Sequence, residues 1–162
     1  MFPFSFYMAK TIFITGSSTG IGKITALYFS KKGWNVAASM RNPDKEYELK
    51  KYANVLLLAL DVLDTIQISD AIDKTIKTFG SVDVLLNNAG YAASGAFEPA
   101  TQEQIKKQFD VNVFGLMNMT KAILPIFRKQ KRGTIINVAS VAGHCGFPAM
   151  SLYNATKFAI EG

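Results

Sequence analysis

The sequence predicts a doubly wound α/β domain, in which helices cover both faces of a parallel sheet. Three observations lead to this class. Short apolar segments typical of buried strands alternate with longer segments of helical periodicity, the 162 residues suit a single domain, and 49% of them are hydrophobic while 19% are charged. Parallel neighbours need a long connection between them, which the helices supply through right-handed crossovers.

Five short apolar segments are the predicted strands. Glycine, proline or polar residues bound them, and their lengths are typical of strands buried in a parallel sheet. In chain order they are residues 11–15, 34–40, 55–60, 82–86 and 134–140.

Helical periodicity marks the segments that follow these strands. In the first predicted helix Ile21, Ile24 and Tyr28 fall on one apolar face. Asp64 can cap the second helix. The apolar face of that helix consists of Ile68, Ala71, Ile72, Ile76 and Phe79.

The remaining helices and the domain limits follow from the same pattern. Residues 101–130 are predicted to be mostly helical, with a break near Pro125, and a last helix begins at Ser151. Residues 1–9 form an N-terminal extension to which we assign no function, and residues 10–162 form the folded domain.

Composition narrows the classes of function. One cysteine, Cys145, and one histidine, His144, allow neither an internal disulfide nor a zinc site, so we expect no metal and a reducing, cytoplasmic location. The longest aliphatic run, residues 55–60, is far shorter than the ~20 residues of a membrane-spanning helix. A net charge of +6 suits several partners, but the basic residues alternate with acidic and apolar ones and show no nucleic-acid module, so we expect no nucleic-acid binding.

A glycine-rich segment, TGSSTGIG, joins the first predicted strand to the first helix. Gly16, Gly20 and Gly22 would let the backbone approach a pyrophosphate held by main-chain amides at the positive end of the helix. Taken alone, the segment also fits a plain tight turn, because glycines are common where strands end.

The end of the second strand bears on the choice between dinucleotides. NAD-binding proteins place an acidic residue there against the ribose, whereas this chain has Arg41, whose guanidinium can pair with a 2′-phosphate. A solvated loop arginine is the alternative. We expect NADP(H) to be preferred, with NAD(H) possible.

Tyr153 and Lys157 are four residues apart and would share one face of the last helix. An ammonium beside a phenol stabilises the phenolate and so makes the tyrosine a better proton donor. Ser140 ends the fifth predicted strand at the edge where ligands bind in such sheets, and Asn112 is an amide among apolar neighbours. Each has a plain structural alternative: a surface pair, a serine bonded to its own backbone, or a satisfied buried amide.

Taken together, these motifs resemble the short-chain dehydrogenase/reductase family from Lys10 to Gly162. The resemblance rests on TGSSTGIG, the pair Asp61-Val62 after the third strand, NNAG at residues 87–90, Asn112, Ser140, and the Tyr153 and Lys157 pair. It implies a Rossmann-type sheet with strand order 3-2-1-4-5. Family members continue with further strands and a lid over the substrate, so we expect this chain, which ends at Gly162, to be cut short.

The resemblance also implies roles for individual residues. Tyr153 would be the general acid/base, Lys157 would assist it and bind the nicotinamide ribose, Ser140 would orient the substrate oxygen, and Asn112 would hold a water. The dinucleotide would be bound by Tyr153, Lys157 and a further set consisting of Gly16, Ser18, Thr19, Gly20, Ile21, Gly22, Arg41, Asp61, Val62, Asn88, Ala89 and Gly90.

The implied reaction interconverts a secondary alcohol and a carbonyl by hydride transfer, on an apolar small molecule. His144 and Cys145 lie between Ser140 and Tyr153 and either touch substrate or form a variable loop. The full-length protein would be a homodimer or homotetramer. A catalytically silent dinucleotide-binding sensor or scaffold is the alternative function.

Overall fold

A computed structural model describes residues 9–162, so most of the predicted N-terminal extension lies outside the described residues. The sheet has five parallel strands in the order β3-β2-β1-β4-β5, which confirms the predicted fold class and strand order. The strands are β1 (Thr11–Ile14), β2 (Asn35–Met40), β3 (Val55–Ala59), β4 (Val84–Asn87) and β5 (Thr134–Asn137).

Five α-helices connect and follow these strands. They are α1 (Gly20–Lys31), α2 (Thr65–Phe79), α3 (Gln102–Phe109), α4 (Gly115–Gln130) and α5 (Ser151–Glu161). The Asp64 carboxylate caps α2 as predicted, accepting from the backbone N–H groups of Ile66 and Gln67 at 3.0 Å.

Alternation along β1 divides the core between the two faces of the sheet. Phe13 packs into a cluster formed with α2 and α4, whereas its neighbours Ile12 and Ile14 face the other side, where Ala26 of α1 lies. All four of these side chains are at most 1% exposed, so the sheet is sealed on both faces at its centre.

The first helix turns a different face to the sheet from the one predicted. Ile21, Ile24 and Tyr28 are 64%, 68% and 56% exposed. The buried positions are the small residues Gly22, Ala26 and Ser30, which let the helix backbone approach the strands closely. The prediction was wrong because it followed side-chain size, while the short distance between helix and sheet requires small residues.

The expected break at Pro125 is also wrong. Pro125 lies inside α4, and its exposed position lets water satisfy the carbonyl that the missing N–H leaves free. The long helix is interrupted earlier, by a wider π-helical turn at Asp110–Phe114 that separates α3 from α4.

Candidate active site

A cavity of about 740 Å³ opens at the carboxyl edge of the sheet. It lies where β1, β2, β4 and β5 pass into their following loops, the place where open parallel sheets bind ligands. Every predicted site residue except Gly22 and Asn112 lines it. Those that do are Gly16, Ser18, Thr19, Gly20, Ile21, Arg41, Asp61, Val62, Asn88, Ala89, Gly90, Ser140, Tyr153 and Lys157.

The glycine-rich loop is held by close backbone contacts. Gly16 has φ +68°, and a Cβ at that position would lie 2.9 Å from the Cα of Ala89. Gly22 does not face the cavity, but a Cβ there would collide with the carbonyl oxygen of Gly16 and lie 2.5 Å from the Nδ2 of Asn88. The tight turn and the approach of the helix therefore need glycine at both positions.

Thr15 and Asn88 fasten this loop to the one that follows β4. The Thr15 hydroxyl accepts from the backbone N–H groups of Asn88 and Ala89, both at 3.0 Å. In return the Asn88 amide donates to the carbonyl oxygens of Thr15 (2.9 Å) and Gly16 (3.1 Å). Thr15 is 1% exposed, and its role in joining the loops was missed from the sequence, where it read only as the last residue of a strand.

Arg41 and Asp61 lie at the end of the cavity formed by β2 and β3. Arg41 follows β2 directly and is exposed, so its guanidinium is available to a ligand. Asp61 accepts from the backbone N–H of Leu63 at 3.0 Å, which fixes the turn that carries Val62. Val62 packs against Gly115, where any side chain would strike it, so the helix and this wall of the cavity are in direct contact.

Asn112 lies in the π-helical turn, 2% exposed, and reaches two other elements. Its Oδ1 accepts from the N–H of Tyr91 (3.0 Å), and its Nδ2 donates to the carbonyl of Tyr91 (2.9 Å) and to the Thr156 hydroxyl (3.1 Å). Both amide hydrogens are thus donated to protein atoms. A water held by Asn112 would have to donate to one of its oxygens.

Ser140, Tyr153 and Lys157 meet in the cavity. The Lys157 ammonium is 5.6 Å from the centre of the Tyr153 ring and donates to the carbonyl of Val138 at 2.6 Å. Ser140 Oγ accepts from the N–H of Ala142 at 3.1 Å, which leaves its own hydrogen free to donate.

Lys157 is an unusual residue to bury, at 8% exposed. Burial lowers the pKa of its ammonium, and the Glu161 carboxylate offsets part of that shift. Its burial and its bond to the carbonyl of Val138 fix the position of the Lys157 ammonium near the Tyr153 ring.

The structure separates other residues from this group. His144 lies 3.4 Å from Glu161, and Cys145 is exposed with its thiol 3.5 Å from the carbonyl of Val141. Neither lines the cavity, so the variable-loop interpretation suits them better than substrate contact. Tyr91 and Lys107 do line it and were missed, because an exposed tyrosine and a helical lysine give no signal in a single sequence.

Among residues 9–162, no three His, Cys, Asp or Glu side chains gather as a metal site would require. No helix in the same part of the chain is both long and apolar enough to cross a membrane.

Comparison with known proteins shows the family of this chain. Residues 10–162 match the profile of the family described as short chain dehydrogenase. The chain belongs to the short-chain dehydrogenase family. The resemblance expected from the motifs is thus confirmed.

Relatives of this chain include a named reductase and an uncharacterised oxidoreductase. The chain is 43% identical over 153 residues to the 3-ketodihydrosphingosine reductase of Bacteroides thetaiotaomicron, covering 94% of this chain and 55% of that protein. It is 37% identical over 160 residues to the uncharacterised oxidoreductase YusZ of Bacillus subtilis, covering 94% of this chain and 56% of YusZ. The chain therefore spans about half the length of the curated relatives it matches.

Solved structures of the family share the fold. A short-chain dehydrogenase from Streptomyces avermitilis superimposes with a TM-score of 0.88 at 34% identity, covering 94% of this chain and 57% of that one. ElxO with NADP bound superimposes with a TM-score of 0.87 at 35% identity, covering 94% of this chain and 64% of that one.

Proposed function

We propose that the protein is an NADP(H)-dependent oxidoreductase that interconverts a secondary alcohol and a carbonyl, with Tyr153 as the general acid/base. The observation that carries this proposal is the convergence of Tyr153, Lys157 and Ser140 in the cavity that the glycine-rich loop also lines. Family membership and the NADP-bound neighbour support it.

The residues present fit a nicotinamide dinucleotide. Gly16 and Gly22 keep the loop and the start of α1 close together, so main-chain amides can face a pyrophosphate. Arg41 would pair with the 2′-phosphate of NADP(H), and Asp61 and Val62 would lie against the adenine. When bound, the dinucleotide supplies or accepts the hydride.

The side chains of the protein would then position the substrate oxygen and transfer its proton. In the reductive direction the Tyr153 phenol donates its proton to the substrate oxygen, and the Lys157 ammonium stabilises the phenolate that forms. The Ser140 hydroxyl, whose hydrogen is free, donates to the same oxygen and fixes its position. Asn112 supports this arrangement through Thr156, which stands next to Lys157 and donates to the carbonyl of Tyr153 at 2.8 Å.

We propose an apolar substrate. The named reductase relative acts, by its name, on 3-ketodihydrosphingosine, a long-chain ketone. In this chain three aromatic side chains are exposed near the site: Tyr91 and Phe97 in the loop after β4, and Phe147 in the loop after β5. Suitable probes are therefore 3-ketodihydrosphingosine and a ten-carbon methyl ketone.

Replacing Tyr153 with Phe tests the mechanism. Tyr153→Phe should leave NADP⁺ affinity, measured by calorimetry, close to wild type and should abolish NADPH oxidation with either ketone, because the ring remains and the proton donor is gone. Tyr47→Phe, at a tyrosine that is 75% exposed, is the matched control and should keep full activity. A Tyr153→Phe protein that retained most of its activity would refute the mechanism, and wild-type NADP⁺ binding without turnover would favour the silent dinucleotide-binding alternative.

Replacing Arg41 with Ala tests the choice of dinucleotide. Because Arg41 is exposed, we expect a loss near the lower end for a hydrogen bond to a charged group, about 1.5 kcal/mol or tenfold, for NADP⁺ only. Calorimetry with NADP⁺ and NAD⁺ measures this directly. An equal loss for both would show that Arg41 does not contact the 2′-phosphate.

A further inference from the structure

Gln108 is a buried amide that the reaction described above does not use. It lies in the last turns of α3, is 0% exposed, and does not line the cavity. Its Oε1 accepts from the N–H of Ala93 at 2.8 Å, and its Nε2 donates to the carbonyl of Tyr91 at 2.7 Å. The side chain thus bonds to the loop backbone in the way that a neighbouring strand would.

Asn112, one turn further along, bonds to the same stretch of backbone. Its Oδ1 accepts from the N–H of Tyr91, and its Nδ2 donates to the carbonyl of Tyr91, which also accepts from Gln108. Three polar backbone groups of this loop, the N–H and C=O of Tyr91 and the N–H of Ala93, are therefore fixed by two buried amides. A short exposed loop rarely has so many side-chain partners, because water usually satisfies it.

The segment held in this way separates two cavities. Tyr91 lines the cavity of about 740 Å³ that contains Tyr153 and Lys157, and both Tyr91 and Ala93 line a second cavity of about 530 Å³. Leu152, the neighbour of Tyr153, lies on the wall of the second cavity, as do Phe97 and Pro99. The second cavity thus reaches the residue that precedes the proposed proton donor in α5. Its lining is mostly apolar, and its polar members are Ser94, Gln104, Lys107 and Ser151.

We propose that this second cavity receives the part of the substrate that extends beyond the carbonyl carbon, and that Gln108 is a positioning residue that holds its wall. This inference rests on the proposed function. Gln108 acts through the backbone of residues 91–93 and does not touch substrate. Without it, the N–H of Ala93 loses its acceptor, and Tyr91 is bonded only to Asn112 among the described residues, while Gly95 further along the wall keeps its bond to Ala149.

The chain offers a closely matched control in Gln130. At the end of α4, Gln130 donates to the carbonyl of Val82 at 2.8 Å and accepts from the N–H of Val82 at 3.3 Å, the same pair of bonds made to a backbone remote from the cavity. Gln130 is less buried than Gln108 and also donates to the carbonyl of Arg132 at 3.4 Å. Both Gln108→Leu and Gln130→Leu remove a donor and an acceptor bonded to distant backbone. Only Gln108→Leu should weaken binding of the long ketone.

Steady-state reduction of acetone and of a ten-carbon methyl ketone by NADPH separates the two roles. For Gln108→Leu we expect the KM of the long ketone to rise about tenfold with kcat and the acetone KM little changed, since binding of the chain is lost and not the chemistry. Gln130→Leu should change neither KM. Amide hydrogen exchange should show faster exchange at Ala93 in Gln108→Leu alone.

A second variant covers a failure of Gln108→Leu to fold. Gln108→Met keeps a side chain of similar length and adds no buried charge while it removes both bonds, so the KM of the long ketone should rise as it does in Gln108→Leu. Equal KM values for the long ketone in the Gln108 and Gln130 variants would overturn the inference while leaving the proposed function intact. A wild-type protein that binds NADP⁺ but reduces neither ketone would contradict the proposed function, and this inference with it.

Discussion

Replacing Gly22 with Ala tests how tightly the glycine-rich loop and α1 are packed. The added Cβ would meet the carbonyl oxygen of Gly16 and the Nδ2 of Asn88, and neither can move freely. Gly16 already lies against Ala89, and the Asn88 amide donates to both Thr15 and Gly16. Accommodation therefore requires a shift of backbone or the loss of two hydrogen bonds.

The size of the effect follows from these contacts. Overpacking costs about 1–3 kcal/mol, and each of the two lost hydrogen bonds adds roughly 0.5–1.5 kcal/mol, so we expect Gly22→Ala to lose about 2–6 kcal/mol of unfolding free energy. For a domain of this size that lowers the melting temperature by roughly 4–24 °C. NADP⁺ affinity should fall by about tenfold or more, because the helix N-terminus that would hold the pyrophosphate is displaced.

Gly33→Ala, at the other end of the same helix, is the matched control. Gly33 has φ +79° and open space where a Cβ would stand, so only backbone strain of about 1–2 kcal/mol is expected. Thermal unfolding followed by circular dichroism and NADP⁺ calorimetry measure both effects. A Gly22→Ala protein that melts no lower than Gly33→Ala and binds NADP⁺ as tightly as wild type would show that the loop and α1 have room for a Cβ.

Three further predictions concern buried polar groups. Burial lowers the pKa of Lys157 below its ordinary value of 10.5, so wild-type stability should rise with pH from that lowered pKa towards 10.5. Lys157→Met should lack this rise in thermal melts across that range and should abolish carbonyl reduction. Burial raises the pKa of Glu46, but hydrogen bonds from two backbone N–H groups and from the Lys23 ammonium outweigh burial, so the pKa is lowered. Wild type should therefore lose stability as pH falls below 4.5, and Glu46→Gln should lack that loss in acid titrations. Thr156→Val removes the hydroxyl between Asn112 and Tyr153, so kcat should drop by about tenfold or more in steady-state assays while NADP⁺ affinity holds.

Alternating strands and helices were enough to predict a parallel sheet covered on both faces, because parallel neighbours need long crossover connections. The strand order came from the resemblance to the short-chain dehydrogenase/reductase family. Strand limits were less accurate. The segment predicted as residues 134–140 pairs as a strand only over Thr134–Asn137, although the N–H of Val138 still bonds to Asn87. Hydrophobicity continues past the point where the backbone leaves the ladder, so sequence alone extends the strand.

Single-sequence reasoning found the residues that line the cavity better than those that hold its loops. Taken alone, Arg41, Tyr153 and Lys157 each fit a plain structural role, and Tyr153 and Lys157 were identified because they stand in the same order as the other motifs of the family they resemble. Thr15 and Gln108 act through backbone groups of distant segments, and any buried hydroxyl or amide fits such a position. Their partners, Asn88 and Ala93, are known only once the loops are placed in three dimensions.

The π-helical turn at Asp110–Phe114 explains how one long helix serves both the core and the site. The buried residues along this helix, from α3 through the π-helical turn to α4, are Gln108, Asn112, Gly115, Met119, Ile123 and Phe127. From Gln108 to Phe127 these span 19 residues in five turns, or 3.8 residues per turn. An α-helix has about 3.6 per turn, so a regular helix would rotate the stripe by roughly 100° over that distance.

The wider turn takes up this difference, since its i→i+5 hydrogen bond places more residues in one turn. Gly115 onwards can then face the sheet while Gln108 and Asn112 still face the loop after β4. A uniform α-helix would have to lose either the apolar packing of Met119 and Ile123 or the two amides that hold residues 91–93. The interruption therefore lies where the helix passes from packing the core to supporting the cleft, and not at Pro125, where the chain only faces water.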